Sequence, residues 1–214
     1  FDFGNLASLH MLDTRLIGRD QQVTLDQYLN GLADGPTRQL MGMTQSDWLT
    51  ARMAASGATW QVLGQQVLMA RMHIPLSVAS SITPETLAEF TLALATPEAL
   101  RTDSQRALLA PRRVPYNLDA WDGYPAARET VLAAARTQGK NLISLAGDTH
   151  NMWGANLIDA TGQRVGVEFG TSSVSSPGFE TRLPLISNSL LADAFLKMVA
   201  DLRFAETSKR GYLV

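Results

Sequence analysis

The 214-residue sequence contains no cysteine, which excludes disulfides, cysteine-based zinc sites and a thiol nucleophile within these residues. It also lacks any apolar run near the roughly 20 residues that a membrane helix needs. The lysines and arginines are scattered and the formal net charge is -2, which argues against a nucleic-acid partner. A Gly-x-Ser-x-Gly elbow, a phosphate-binding P-loop and a Gly-x-Gly-x-x-Gly turn are all missing, so a serine hydrolase and ordinary nucleotide binding lose their usual sequence support.

The apolar content is ample for a folded core. An apolar fraction of 45% over 214 residues suits one domain, or most of one. A strand-like run at residues 6–12 lies close to the first residue, and residues 211–214 have the pattern of another strand beginning. Because natural proteins rarely leave such strand edges unpaired, we expect the sequence to be a fragment of a larger domain.

Apolar periodicity and helix-end signals predict helices in several segments. Thr83 followed by Pro84 marks the beginning of one helix, and Gly139 marks the end of another. The predicted helices are residues 21–32 behind Asp20 as a cap, a helix beginning near residues 44–47, Pro84–Ala95, residues 125–138 and residues 189–202. Residues 96–120 contain Pro97, Pro111 and Pro115 and show no long period, which predicts a surface insertion or lid.

Apolar runs bounded by turn residues predict the strands. They are residues 59–68, Asn141–Ala146, residues 153–158 and residues 164–169, the last two joined as a hairpin. Helix-then-strand units favour a layered α/β architecture with α+β character. Ligands of open α/β sheets bind beyond the carboxyl ends of strands, so we expect the functional site just after Ala146.

The segment after that strand offers two metal-binding side chains, Asp148 and His150. Side chains alternate along an extended strand, so we expect these two to point the same way and Thr149 to point away. One carboxylate and one imidazole suit a hard or borderline cation, but a working site needs more than two ligands. A loop histidine bonded to backbone is the competing interpretation of His150, and the neighbouring carboxylate favours metal ligation.

Two further residues are candidates for contact with a substrate. Arg15 follows a predicted strand, and its forked donors suit a phosphate oxygen. A surface ion pair of Arg15 with Asp13 or Asp20 is an equally good interpretation. Asn151 offers an amide donor to a substrate or to a ligand, and an asparagine after a strand is equally a turn residue.

The remaining polar candidates favour structural roles. His10 lies within a predicted strand, where a hydrogen-bonded core histidine is the better interpretation, and His73 is assigned a structural or solvent-exposed role. Gln65 and Gln66 stand at a strand end as possible partners of metal ligands, with a purely structural role as the alternative. Residues 121–124 are expected to fix the entry of the following helix rather than to perform catalysis.

Five motifs in order give the sequence a family resemblance. It resembles the PhoD-like alkaline phosphatases, and the resemblance covers nearly the whole chain. The tryptophan-aspartate-glycine-tyrosine and aspartate-x-histidine motifs are together quite specific. The motifs are Leu12-Asp13-Thr14-Arg15, Trp60-Gln-Val-Leu-Gly-Gln65-Gln66, Asp119-Ala-Trp121-Asp122-Gly123-Tyr124-Pro125-x-x-Arg128, Gly147-Asp148-x-His150, and Glu168-Phe169 followed by Ser175-x-Pro177-Gly178.

The resemblance implies a metal-dependent phosphatase or phosphodiesterase, usually periplasmic or secreted, on the four-layer sandwich of calcineurin-like phosphoesterases. It implies Fe³⁺ and Ca²⁺ at the catalytic centre, with Asp148 and His150 matching the family's metal-ligand motif. We assign His150 and Arg15 to catalysis, the latter on the chemistry of its guanidinium. Further family ligands precede the Leu-Asp-Thr-Arg strand. Residues 1–214 are therefore expected to form the C-terminal portion of a single metallophosphatase domain, without its N-terminal half.

Two functional hypotheses follow from the sequence. The first is a phosphomonoesterase or phosphodiesterase whose other ligands lie outside these residues. The second is a non-catalytic remnant or binding module that keeps the fold without the metal centre. Another metallohydrolase, such as an amidohydrolase, would need further histidines, and the sequence has only three.

Overall fold

A seven-stranded mixed sheet forms the centre of the computed structural model, which describes residues 1–213. A two-stranded antiparallel ribbon accompanies it. The sheet order is β1-β2-β3-β6-β8-β7-β9, and the ribbon pairs β4 with β5. The strands are β1 (Asp2–Phe3), β2 (Ala7–Met11), β3 (Trp60–Gly64), β4 (His73–Pro75), β5 (Arg113–Pro115), β6 (Asn141–Ala146), β7 (Met152–Ile158), β8 (Arg164–Gly170) and β9 (Leu202–Glu206).

The helices connect these strands and cover one face of the sheet. Three single-turn 3₁₀ segments lie at Leu32–Asp34, Glu98–Leu100 and Trp121–Gly123. None of the helices between residues 1 and 213 is long and apolar enough to span a membrane. The α-helices are α1 (Leu25–Leu29), α2 (Gly42–Ala55), α3 (Leu76–Ala79), α4 (Pro84–Ala95), α5 (Asp103–Leu108), α6 (Pro125–Thr137), α7 (Phe179–Arg182) and α8 (Asn188–Met198).

Strands β2, β3, β6 and β8 run parallel to one another. Their carboxyl ends therefore meet at one edge of the sheet, and this edge carries the loops after Met11, Gly64, Ala146 and Gly170. Crevices at such edges are where open α/β sheets bind their ligands. The fold thus gathers the motif residues of four distant sequence segments at one place.

The two faces of the large sheet differ in their cover. One face packs against apolar side chains of α2, α6 and α8 in a single continuous core. The opposite face, here called the open face, presents cross-strand rows of partly or largely exposed apolar side chains, among them Met11 at 59% and Phe169 at 43% exposure. Its members are Leu9, Met11, Trp60, Val62, Ile143, Leu145, Val167, Phe169 and Phe204. A four-layer sandwich contains two large sheets, and residues 1–213 form one of the two.

Several predicted elements are confirmed. The strand Asn141–Ala146 and the helix Pro84–Ala95 have the predicted bounds, and Thr83 caps the latter by accepting from the backbone N–H of Thr86. The helix from Pro125 ends at Thr137, with Gly139 in the left-handed region behind it. The predicted hairpin is β7 paired antiparallel with β8. The α/β fold class is confirmed as well.

Other predictions were wrong, mostly in the extent of an element. The helix predicted over residues 21–32 is confined to Leu25–Leu29, because Thr24 rather than Asp20 caps it in a capping box with Gln27. The strand predicted over residues 59–68 ends at Gly64. Residues 96–120, predicted as a surface insertion or lid, contain the regular elements α5 and β5, and Val114 of β5 is fully buried.

The C-terminal region also departs from its prediction. The helix predicted over residues 189–202 ends at Met198, and the chain then returns as β9, which adds a further strand beside β7. Residues 211–213 form no strand. The last residue of that predicted strand, Val214, lies outside the described residues.

Candidate active site

A cavity of about 350 Å³ opens at the carboxyl edge of the sheet. Each sequence-predicted site residue lies on its wall: Asp148 and His150 after β6, Arg15 after β2, and Asn151 beside them. Tyr116, Asn117, Asp119, Thr149, Pro177, Gly178, Phe179 and Arg182 complete the lining. The structure therefore brings the four predicted residues together, while their roles stay predictions.

The backbone geometry behind this arrangement differs from the predicted one. The strand ends at Ala146, and both Asp148 and His150 adopt left-handed conformations, with φ of 66° and 57°. Strand alternation therefore does not explain why the two side chains face the same cavity. Such conformations cost non-glycine residues on the order of 1 kcal/mol each, and they cluster at functional sites, where surrounding contacts enforce them.

Those surrounding contacts hold residues 147–151, here called the site loop. The N–H of Gly147 donates to the carbonyl of Gln66 at 3.1 Å, which fixes the loop to the end of β3. The amide of buried Asn151 donates to the Thr149 carbonyl at 2.6 Å and accepts from the N–H of Phe179 at 3.2 Å. Both ends of the Asn151 amide are thus engaged by backbone, so this side chain positions the loop.

The ring of His150 is oriented by one carbonyl. Its Nδ1 lies 3.1 Å from the backbone oxygen of Pro177. A carbonyl oxygen only accepts hydrogen bonds, so Nδ1 carries the proton and Nε2 of the neutral ring keeps a free lone pair. Metal-binding histidines in proteins use the same tautomer arrangement. His150 is therefore set up to donate Nε2 to a cation.

Arg15 pairs with a carboxylate that the sequence did not single out. Its guanidinium donates to Asp119, not to Asp13 or Asp20, so both predicted ion-pair partners were wrong. Asp13 instead accepts from the backbone N–H of Arg15 at 2.9 Å. The hydrogen bond that Arg15 donates to Asp119 raises the pKa of Arg15, with desolvation opposing it.

Asp119 also accepts a hydrogen bond from the guanidinium of Arg19, so its carboxylate pairs with two guanidiniums beside the cavity. Arg19 lies over the ring of Tyr124 at 4.9 Å, which ties this cluster to the start of α6. Because Asp119 lies 104 residues from Arg15, no local pattern could have paired them. Arg182 is the second residue that the sequence analysis missed: it lines the cavity from α7, and no hydrogen bond or ion pair joins its guanidinium to another residue between 1 and 213.

A continuous series of hydrogen bonds runs from Trp121 through Gln65 and Ser144 to Glu168, and is here called the buried polar chain. Trp121 Nε1 donates to Gln65 at 2.6 Å, Gln65 donates to Ser144 at 2.8 Å, and Ser144 donates to Glu168 at 2.8 Å. The chain links the carboxyl end of β3 to β6, β8 and the entry of α6. Gln65 thus has a structural role, because it joins the end of β3 to β6 and to the turn before α6.

Glu168 ends this chain as a buried carboxylate, and the sequence analysis gave it no role. The N–H groups of Met69 and Ala70 each donate to it at 2.7 Å. Burial raises the pKa of Glu168, and these donors oppose that rise. Arg128 is also buried and donates to the Met69 carbonyl at 2.7 Å, so both charged residues hold the same turn.

The other histidines and the second glutamine have structural surroundings. His10 is buried and its Nε2 lies 2.8 Å from Gln61, as expected for a hydrogen-bonded core histidine. His73 lies 3.5 Å from buried Asp122 and lines a separate cavity. Gln66 accepts from the hydroxyl of Thr14 at 2.7 Å. The 3₁₀ turn Trp121–Gly123 leads directly into α6, as predicted.

The side chains at the cavity that we predict to bind a metal ion are Asp148 and His150. The Asp148 carboxylate makes no hydrogen bond to another described residue, and His150 offers Nε2, so both suit a hard or borderline cation. A protein site for such a cation takes four or more ligands. Between residues 1 and 213 no group of three or more His, Asp or Glu side chains converges as a metal site. Asp148 and His150 therefore fit as part of a coordination shell and do not complete one.

Comparisons with known proteins agree with this geometry. A family model described as PhoD-like phosphatase matches residues 1–214. Alkaline phosphatase D of Bacillus subtilis (strain 168) is 32% identical over 185 residues, which are 83% of this chain and 26% of that protein. A solved structure described as "Structure of PhoD" matches 99% of this chain and 34% of its own, with a TM-score of 0.65 and 28% identity. The chain thus spans about a quarter of the length of the curated relative that it matches. By these matches the chain belongs to the PhoD-like phosphatase family and has a metallophosphoesterase-type fold.

Proposed function

We propose that the complete protein hydrolyses phosphate esters, either monoesters or diesters, in a metal-dependent reaction at the cavity beside the site loop. The observation that supports this best is the convergence of a carboxylate, a free imidazole nitrogen and a guanidinium on one wall. These are Asp148, His150 and Arg15. A phosphate ester is an anion, and this set combines cation ligands with a donor for phosphate oxygens.

Each residue has a proposed part in that reaction. Asp148 and His150 would hold one of the ions that the family resemblance implies, which are Fe³⁺ and Ca²⁺. Bound metal ions neutralise phosphate charge and lower the pKa of a water molecule that attacks phosphorus. Arg15 binds a non-bridging phosphate oxygen while Asp119 keeps its guanidinium at the cavity wall. Asn151 belongs to the substrate pocket by holding the site loop against the substrate.

The remaining ligands are proposed to come from residues outside 1–214. Two donors cannot hold an ion of this class, whereas the open face offers an apolar surface for a second sheet of the same domain. Residues 1–214 would then form the C-terminal portion of a single metallophosphatase domain. The 26% and 34% coverage of the two relatives is consistent with that arrangement.

The alternative is a non-catalytic module that keeps the fold. The incomplete donor set within residues 1–213 is the observation in its favour. Metal content separates the two proposals, because a module would bind no iron or calcium at Asp148 and His150 in any form of the protein.

The test uses the full-length protein and p-nitrophenyl phosphate. We expect hydrolysis that a chelator abolishes and that added Fe³⁺ and Ca²⁺ restore. His150→Ala should lower turnover by more than about 100-fold, since loss of a mere supporting residue costs up to that much. His73→Ala is the matched control, because this histidine lines a different cavity. Full turnover and unchanged metal content in His150→Ala would contradict the proposal.

The compartment is a separate proposal. By family resemblance we infer that the protein works in the periplasm or outside the cell, which the absence of cysteine permits. Fractionation of cells that make the full-length protein tests this. Recovery of all of it in the cytosol would contradict the assignment.

A further inference from the structure

The site cavity shares lining residues with two neighbouring spaces that are more apolar than it is. Tyr116 and Asn117 separate it from a pocket of about 310 Å³, and Arg182 separates it from a groove of about 570 Å³. The pocket and the groove share Ile82, so all three spaces adjoin. The larger space, here called the side groove, lies between the start of α4 and residues 182–186.

The chemistry changes sharply along this path. The cavity around Asp148 and His150 is lined mainly by polar side chains, while the side groove is lined chiefly by Ile82, Pro84, Leu183, Pro184, Leu185 and Ile186. Leu185 lines the side groove and is 84% exposed. An apolar cavity of about 150 Å³ accommodates a benzene ring, and the side groove is several times larger.

Arg182 stands at the junction of these two environments. Its guanidinium has no partner among residues 1–213, and it lines both the cavity and the side groove. Arg15, by contrast, is already paired with Asp119. A guanidinium without an ion-pair partner between a phosphate-binding cavity and an apolar groove suits a ligand that is anionic at one end and apolar beyond it.

We propose that the site takes phosphodiesters with one apolar arm, that the side groove binds this arm, and that Arg182 binds the phosphate at the junction. This inference rests on the proposed function and adds the substrate class to it. It makes Leu185 a specificity-determining residue and Arg182 a phosphate-binding residue.

The test compares two diesters that differ only in the arm, p-nitrophenyl methyl phosphate and p-nitrophenyl octyl phosphate, below the concentration at which the latter forms micelles. Both have the same charge and the same leaving group. In the full-length metal-loaded protein we expect kcat/KM to be at least about tenfold higher for the octyl ester, because several methylene groups leave water. Leu185→Ser should lower this octyl-to-methyl ratio several-fold, whereas Arg182→Ala should raise KM for both esters and leave their ratio unchanged.

The matched control is Leu100→Ser, since Leu100 is 73% exposed and lines neither space. This control should leave both esters unaffected. An octyl-to-methyl ratio near one in the wild-type protein, or a ratio that Leu185→Ser does not change, would overturn the assignment of the side groove. Metal-dependent turnover of both esters would still support the proposed function in that case. Absence of metal-dependent turnover of either ester overturns both.

Discussion

The buried polar chain and two side chains of the site loop, Asp148 and His150, are all polar, and they differ in whether their hydrogen bonds are satisfied. In the chain, Gln65, Ser144 and Glu168 pass hydrogen bonds to one another, and none of these side chains keeps free capacity toward solvent. In the loop, Asp148 keeps a free carboxylate and His150 a free Nε2. The satisfied groups of the buried polar chain fix the structure, and the free groups of Asp148 and His150 face the cavity.

Strain divides the two regions as well. The strands that carry the chain have regular backbone conformations, whereas Asp148 and His150 hold positive φ angles. Substitutions in the buried polar chain should therefore cost stability, and substitutions of Asp148 or His150 should cost activity with little loss of stability or even a gain. Four predictions test this division.

Trp121→Ala should have the largest effect on stability. This side chain is fully buried and also donates to Gln65, so its truncation should lower the free energy of unfolding by about 4 kcal/mol. Denaturant titration of the full-length protein measures the loss. Trp48→Ala is the control, since Trp48 is 44% exposed and should cost well under half as much. Equal losses in the two variants would contradict the burial of Trp121.

Glu168→Leu should rank next. It removes the acceptor of Met69, Ala70 and Ser144 and leaves these donors buried, which should cost about 3 kcal/mol of unfolding free energy. Glu168→Gln keeps one acceptor oxygen and should lose about half as much. An unchanged melting temperature in Glu168→Leu would contradict the comparison, because the buried polar chain would then contribute nothing to stability.

Tyr116 tests the boundary between the regions, because it lines the cavity and packs edge-on against Phe195. Burial raises the pKa of Tyr116 to about 12. Since the folded protein disfavours the phenolate, its contribution to stability is complete below pH 10 and is lost as the pH rises towards 12. The free energy of unfolding should fall by about 2 kcal/mol more in the wild type than in Tyr116→Phe over this range. Identical pH profiles would show that the phenol titrates normally.

Asp148→Gly should have the smallest effect on stability and the opposite sign. Glycine adopts a φ of 66° without strain, so the unfolding free energy should rise by up to about 1 kcal/mol while metal-dependent turnover is lost. Calorimetry and the p-nitrophenyl phosphate assay measure the two effects. Ser173→Gly, in the neighbouring loop and without positive φ, is the control and should not stabilise. A lower unfolding free energy in Asp148→Gly would contradict the prediction, because it would show that the φ angle of Asp148 does not strain the site loop.

The elements whose bounds were predicted best have local sequence signals. Strand β6 is an apolar run that ends before a glycine, and α4 and α6 begin with proline in the first turn. The placement of Asp148 and His150 on one cavity could also be anticipated, because residues after a parallel strand lie at the ligand-binding edge. These signals are contained within about ten residues of the element that they define.

The missed features depend on contacts between distant segments. The pairing of Arg15 with Asp119 and the left-handed turns of the site loop have no local signature. In β8 the apolar and polar side chains lie on the faces opposite to those that an alternating pattern predicts. Val167 and Phe169 lie on the open face, while Glu168 faces the core. Hydrogen bonds to the turn after β3 outweigh the apolar pattern there.

The open face has a consequence for how the protein responds to its ligands. A layer that covers Met11, Leu145 and Phe169 shares their hydrophobic stabilisation, so the two layers should unfold in one cooperative transition. A metal ion or phosphate bound at the cavity then raises the melting temperature of both layers together. Occupancy of the cavity and resistance to proteolysis would thus rise together.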